Sequence, residues 1–513
     1  MIKHPYFKLF LPTVIAVMVA ACSTSPSASL SPSAANAPQD KTVTLLFNVQ
    51  SSSIDPHTDV NYTAVRAGVS ETLVKVNKDL KQEAWLAEKW SSKDGQHWTF
   101  NIRPGVKFHS GKSVNAAAVK ASLERAQKLN PSVKNALHIR DIRADGQILE
   151  VTTDRPFPEF ASELIHPNTA VIDNSSTDAL PSGTGPFKAA SFRAGSELNL
   201  ERNDQYWNGE VKLKQAKFVF NEDANARQLA FQAKNADIVY RPPIESLDLL
   251  KADSTVKVDS LPSLRTHQLI YNMNNKDLNK TAVRKAFDHL INRDEIADGI
   301  MSGQGTPAQG PFLSEFPFSP TYTAKKFDLS AARDNFKQAG YSVHDDKVKA
   351  PDGQALHLTL LTYQSRAELP LISQLIQANA KELGITIDIR QVDNIDEYLA
   401  AHQDWDLATY SCITAPRGDA SYYLNAAYMP EGALNYGRVH APELEAIITK
   451  LNTTVNEEQR NKLALEAVSL IDQENLHSFL VHPNNVVAYR NYVHNWVTSQ
   501  SEYYLLTQDL DVK

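Results

Sequence analysis

The segment Gly105 to Ser113 reads GVKFHSGKS and is the nearest approach in this chain to a phosphate-binding loop. Such a loop has four residues between its first Gly and the Gly-Lys-Ser/Thr triplet, so that successive amides converge on one phosphate. Five residues stand there in this chain, and the match is rejected. The chain contains no Gly-x-Ser-x-Gly elbow, no His-Glu-x-x-His zinc helix and no Gly-x-Gly-x-x-Gly turn. Cys412 would need one of the fifteen His residues as a base, yet it stands in the apolar run Leu407 to Ile413. In such a run a Cys serves as a small core residue.

The second cysteine belongs to a different kind of chemistry. Lys3 and Lys8 precede an apolar run, Phe10 to Ala21. The run is shorter than the roughly 20 residues of a membrane span and fits the apolar region of an export signal. It ends Val19-Ala20-Ala21-Cys22-Ser23, which resembles a bacterial lipobox and implies lipidation of Cys22. Ser23 to Asp40 is rich in Ser, Ala and Pro and holds no aromatic residue. It reads as a flexible tether. A single acyl chain holds a membrane only marginally, so multiple acylation is expected. With Cys22 acylated, Cys412 has no disulfide partner, and a zinc site built from several Cys is excluded.

The elements that must carry any site follow from periodicity. With 513 residues, 42% of them hydrophobic, the chain exceeds the size of one core, and two or more lobes are expected. Its net charge of −7 and the lack of a Lys/Arg block argue against nucleic acid. Thr42 to Asn48 reads as a strand. Val283, Ala286, Phe287, Leu290 and Ile291 predict one apolar helix face, as do Leu444, Ile447, Ile448 and Leu451. Leu356, Leu358 and Leu360 alternate, a helix containing Ile372, Ile376 and Leu383 ends at Gly384, and Ile385, Ile387 and Ile389 alternate again. That is a β-α-β pattern and predicts an α/β lobe. Trp98, Phe100 and Ile102 put one face of a further strand into a core.

Several motifs then stand in order. They are Ile54-Asp55-Pro56-His57, Leu86-Ala87-Glu88-Lys89-Trp90, Trp98 to Arg103 with Gly105 to Gly111, Gly183-Thr184-Gly185-Pro186-Phe187, Asn203 to Trp207, Val283-Arg284-Lys285-Ala286 and Phe327-Asp328-Leu329. Over roughly residues 42–490 the chain resembles the family-5 extracellular solute-binding proteins, the peptide/nickel-binding group of ABC importers. The resemblance implies an α/β, two-lobe periplasmic-binding-protein-like fold of type II, with an extra domain in the first lobe and a hinge between lobes. It implies a signal peptide at 1–21, a lipidated tether at 22–41, lobe I with the extra domain at 42–265, lobe II at 266–480, and a return to lobe I at 481–513. The chain crosses near Thr266 to Asn274 and near Phe479 to Tyr489. The expected protein is a monomer outside the cytoplasm, lipid-anchored to a membrane, handing a small ligand to ABC permease and ATPase subunits. It is not an enzyme, binds no nucleic acid and keeps no permanent cofactor.

The resemblance also points to a cargo. The run from His57 to Tyr62 and Arg66 looks similar to nickel-binding members, and imidazole suits nickel. Ser162 to Asn168 lacks the Arg that such members commonly carry hereabouts; His166 and Asn168 stand in its place, His166 either as a metal ligand or as a satisfied loop histidine. The cluster Arg417, Asp419, Tyr422 and Tyr423 follows a strand where the family places cleft residues. Arg417 would pair with a ligand carboxylate and Asp419 would accept from an amino group. The ligand set is therefore His57, Tyr62, Arg66, His166, Arg417, Asp419 and Tyr422, with His57 and His166 as metal ligands and His440 and His482 behind them. Nickel chelated by a small molecule such as histidine is the expected cargo, with di- or oligopeptides as the alternative.

Overall fold

The computed structural model describes residues 40–513 apart from 78, 176–179 and 324. Cys22, the signal peptide and nearly all of the tether lie outside the described residues.

A twelve-stranded sheet runs through the described residues. Its spine is one long strand, His477–Arg490. The first part of that strand pairs with Arg265–Tyr271 and Gly305–Pro307, and the second part with Ile238–Tyr240 and Val256–Pro262. On one side the sheet continues through Leu407–Ile413, His357–Thr362 and Thr386–Gln391; on the other it continues through Thr42–Phe47, Gln215–Phe220 and two antiparallel strands. The chain therefore crosses from one half to the other between Pro262 and Arg265, and again between Val481 and Asn484. The first crossing lies a few residues before the stretch expected from the sequence, because Arg265–Tyr271 is already a strand of the second half.

Each half has its own core. In the second, Leu358 and Leu360 of one strand and Ile387 of its parallel neighbour are buried with Ile372 and Ile376 of the intervening helix Glu368–Glu382. Gly384, at φ 71, ends that helix in a conformation that a side chain disfavours. Val283, Ala286, Phe287, Leu290 and Ile291 are buried in the same core. A third core, with Trp98, Phe100 and Ile102 facing inward, fills a four-stranded antiparallel sheet backed by the helix Ala116–Leu129. The Asn115 side chain caps that helix by accepting from the Ala118 amide. Among the described residues, no helix is long and apolar enough to cross a membrane.

Candidate functional site

Tyr62 begins the short helix Thr63–Arg66, which Asp59 caps by accepting from the Thr63 amide at 2.6 Å. The Tyr62 ring meets His166 edge-on at 5.2 Å and Tyr503 at 5.9 Å. Burial raises the Tyr62 phenol above its usual range, so it stays a neutral donor. Arg66 lies 5.6 Å from the same ring, donates from Nε to the Glu502 carbonyl and from Nη1 to the Asn61 carbonyl, and stands 3.8 Å from the Glu502 carboxylate. The Nδ1 atom of His166 accepts from the Asn168 amide at 3.2 Å, so Nε2 carries the proton. Burial, and then Arg417, pull its pKa down to about 3. Tyr62, Arg66 and His166 thus converge as the sequence suggests.

His57 does not join them. It is fully buried; Nε2 donates to the Ala170 carbonyl at 2.9 Å and Nδ1 accepts from Arg125 at 2.7 Å. Both ring nitrogens are committed, which removes His57 from the metal ligands expected above. His440 lies exposed against Glu445, and His482 is buried on the crossing strand with Nδ1 against Thr266. Among the described residues, no group of three or more His, Cys, Asp or Glu is placed to hold a metal ion.

The loop after Leu407–Ile413 supplies the facing wall. Arg417 is 3% exposed, lies 4.8 Å from the Tyr422 ring and is ion-paired with Glu163 of the extra domain. The carboxylate that the sequence reading gives to a ligand is therefore the chain's own. Asp419 accepts from Ser421 Oγ at 2.5 Å and from the Tyr422 amide, while its buried Oδ2 has no hydrogen-bond partner. Glu159 lies beside them, its Oε1 3.5 Å from Nε of Arg460 and neither oxygen hydrogen-bonded. Burial pushes its carboxyl up to about 8. Gly418, at φ 74, lets this loop lie flat against the extra domain; a Cβ there would stand 2.1 Å from the Leu80 carbonyl.

Three further arginines complete the site, and sequence reasoning missed them. Arg241 donates to Glu502 at 2.7 Å and to Asn485 Oδ1 at 2.9 Å. Among the described residues, the hydrogen bonds of Arg265 are long ones, 3.3 and 3.4 Å, to Ser411. The Nε atoms of both are buried without a partner. Arg366 shares their field: burial, then Arg265 and Arg241, push it down to about 9. Burial works to raise the Glu502 carboxyl, yet Arg241, Arg265, Arg66 and Arg366 hold it at about 2. Glu368, 2.8 Å from His267 Nε2, is likewise held at about 2 against its burial, by His267 and Arg366. Four guanidiniums (Arg66, Arg241, Arg265, Arg366) thus face two carboxylates, an excess of two positive charges. Tyr62, Arg241 and Glu502 also hold left-handed backbone at φ 55, 50 and 63. That costs roughly 1–2 kcal/mol per residue. Chemically, the arginines suit carboxylates, and the unpartnered Oδ2 of Asp419 suits an N–H donor.

Comparison with known proteins bears on that ligand. Residues 81–434 match the family described as bacterial extracellular solute-binding proteins, family 5. The nickel-binding protein NikA of Staphylococcus aureus is 31% identical over 471 residues, which span 91% of this chain and 93% of that protein. Among solved structures, the nickel ABC transporter protein of Bacillus halodurans is 49% identical, with TM-score 0.81 over 92% of this chain and all of the other. NikA of Staphylococcus aureus in complex with Ni(L-His)2 is 29% identical, with TM-score 0.80 over the same shares.

Proposed function

Since the chain belongs to the bacterial extracellular solute-binding proteins of family 5, a family of binding proteins and not of enzymes, we propose that it captures nickel already chelated by a small amino-acid-like molecule such as histidine and delivers it to the permease and ATPase subunits of an ABC importer. The two-lobe α/β architecture is that of the family. The observation that carries the reading is the arginine excess around Glu502, with the buried Nε atoms of Arg241 and Arg265 unpartnered. Guanidinium forks match carboxylates, and a chelator of this kind carries them.

The protein's own part is recognition around the metal. Imidazole donors are scarce in the cleft: His57 is spent on the fold, and His166 presents an N–H. Nickel entering here keeps its chelator as the main ligand set, and His166, Tyr62 and Tyr422 contact the complex. Hinge closure then proceeds through the two crossings, and the ligand shifts that equilibrium by the contacts it makes only in the closed form. Anchoring through lipid on Cys22 and action as a monomer complete the proposal.

The test is calorimetric titration of the mature domain, from Thr42, with nickel with and without excess L-histidine. Saturable one-to-one binding only with histidine supports the reading. Absence of heat in both arms overturns it, and binding of a di- or oligopeptide panel by the same sample would assign peptides instead.

A further inference from the structure

The two ends of the cleft carry opposite charge. At one end the arginines outnumber the carboxylates. At the other, Glu159, Glu163 and Asp419 share two guanidiniums, those of Arg417 and Arg460. The side chains of Arg417 and Glu163 are 3% and 13% exposed, and the pair joins the lobe II loop to the helix Phe160–Glu163 of the extra domain. Around Arg417 stand Glu163, Asp419, Tyr422 and Tyr503.

We propose that Glu163 is a specificity-determining residue: an internal carboxylate seated on Arg417, it bars a ligand carboxylate from that end of the cleft and sends the ligand's carboxylates to Arg241, Arg265 and Arg366. The inference rests on the reading above only in placing the ligand in this cleft. A ligand carboxylate arriving at Arg417 must displace Glu163. It would strand a nearly buried carboxylate beside Asp419 and Glu159, where burial and like charge both oppose ionisation. What this end accepts is a donor, because Asp419 Oδ2 is a buried acceptor with no partner. The preferred ligand is therefore bipolar, with carboxylate at the arginine end and amine or imidazole N–H at the acidic end. A polycarboxylate chelate is excluded by one side chain.

The experiment compares the mature protein with its Glu163→Gln form, titrating each with nickel–histidine and with nickel–nitrilotriacetate, which carries more carboxylates. Glu163→Gln removes the anion that competes for Arg417 at nearly constant shape, leaving only a neutral acceptor. It is expected to bind the nitrilotriacetate complex at least about tenfold more tightly than the parent does, the scale of one charge-assisted hydrogen bond. Adding Arg417→Met to Glu163→Gln should erase the gain. Glu163→Asp, which keeps the charge but withdraws it from Arg417, should give a smaller gain and covers the case in which Glu163→Gln folds poorly. No gain in either variant, or a gain that survives Arg417→Met, overturns the proposal. If the parent and its variants ignore every nickel chelate, the nickel reading falls by itself. The same comparison is then made with Ala–Gln and Ala–Glu, where Glu163→Gln must gain on Ala–Glu, and absence of that gain overturns the proposal.

Discussion

Replacing Arg265 with Met separates a residue that serves ligand from one that serves the fold. The Met side chain keeps most of the aliphatic stem and removes the guanidinium. In the ligand-free protein the hydrogen bonds of that guanidinium give little: its contacts to Ser411 are 3.3 and 3.4 Å and its buried Nε has no hydrogen-bond partner, although it is one of the four cations that hold Glu502 ionised. It also repels Arg366, whose pKa it helps to push down to about 9. The lost attraction to Glu502 and the relieved repulsion of Arg366 oppose each other, so the ligand-free melting temperature is expected to stay within about 2 °C of the parent. Binding should suffer, because a hydrogen bond to a charged group contributes about 1.5–3 kcal/mol. That corresponds to a Kd raised about 10- to 150-fold. Calorimetry with nickel–histidine reads the affinity, and scanning calorimetry of the ligand-free sample reads the stability. A melting temperature lowered by many degrees with an unchanged Kd would refute the reasoning, since Arg265 would then be a structural residue.

Glu502→Gln should do the reverse, destabilising the ligand-free protein by leaving four guanidiniums without their central anion. Its folded pKa of about 2 lies below the ordinary value of 4.5, so its contribution, about 3 kcal/mol, is present above pH 4.5 and lost as pH falls toward 2; a melting series over that window should flatten in the variant. Glu159 has the opposite sign. Its folded pKa of about 8 lies above 4.5, so its burial costs stability progressively as pH rises from 4.5 to 8, and Glu159→Gln should raise the melting temperature at pH 8.5 but hardly at pH 4.5. His57→Ala should cost about 1–3 kcal/mol of unfolding free energy, because it empties a fully buried site and removes the hydrogen bonds to the Ala170 carbonyl and from Arg125, which keeps Asp55, and should leave the affinity of the folded fraction unchanged. His166→Ala should do the converse, weakening binding about tenfold with a small change in melting.

The fold was legible in the sequence where one face of an element had to be apolar. The alternation of Trp98, Phe100 and Ile102 and the spacing of Val283, Ala286, Phe287 and Leu290 each specify a buried face without knowledge of what covers it. Tyr62, Arg66, His166 and Arg417 were legible through the family motifs that flank them. Arg241, Arg265 and Arg366 were not, because they stand singly, more than a hundred residues apart from end to end, and come together only in the fold, Arg265 at the start of a strand beside the first crossing, Arg241 just past Ile238–Tyr240 and Arg366 in the turn before the helix Glu368–Glu382. Nor could the sequence tell which way His57 turns. The turn at Asp55–Thr58 aims the ring beneath Ala170, away from Tyr62 five residues on.

The long strand His477–Arg490 also sets an order of assembly. Residues 265–481 start and finish side by side, with His267 paired to Val481, so the second half closes on itself as soon as it is made. The first half cannot. Ile238–Tyr240 has Thr42–Phe47 along one edge and waits for residues 487–489 along the other. A chain halted before His477 would carry an open strand edge, the kind of surface that recruits other chains and proteases. The half that is synthesised first is thus the last to be finished.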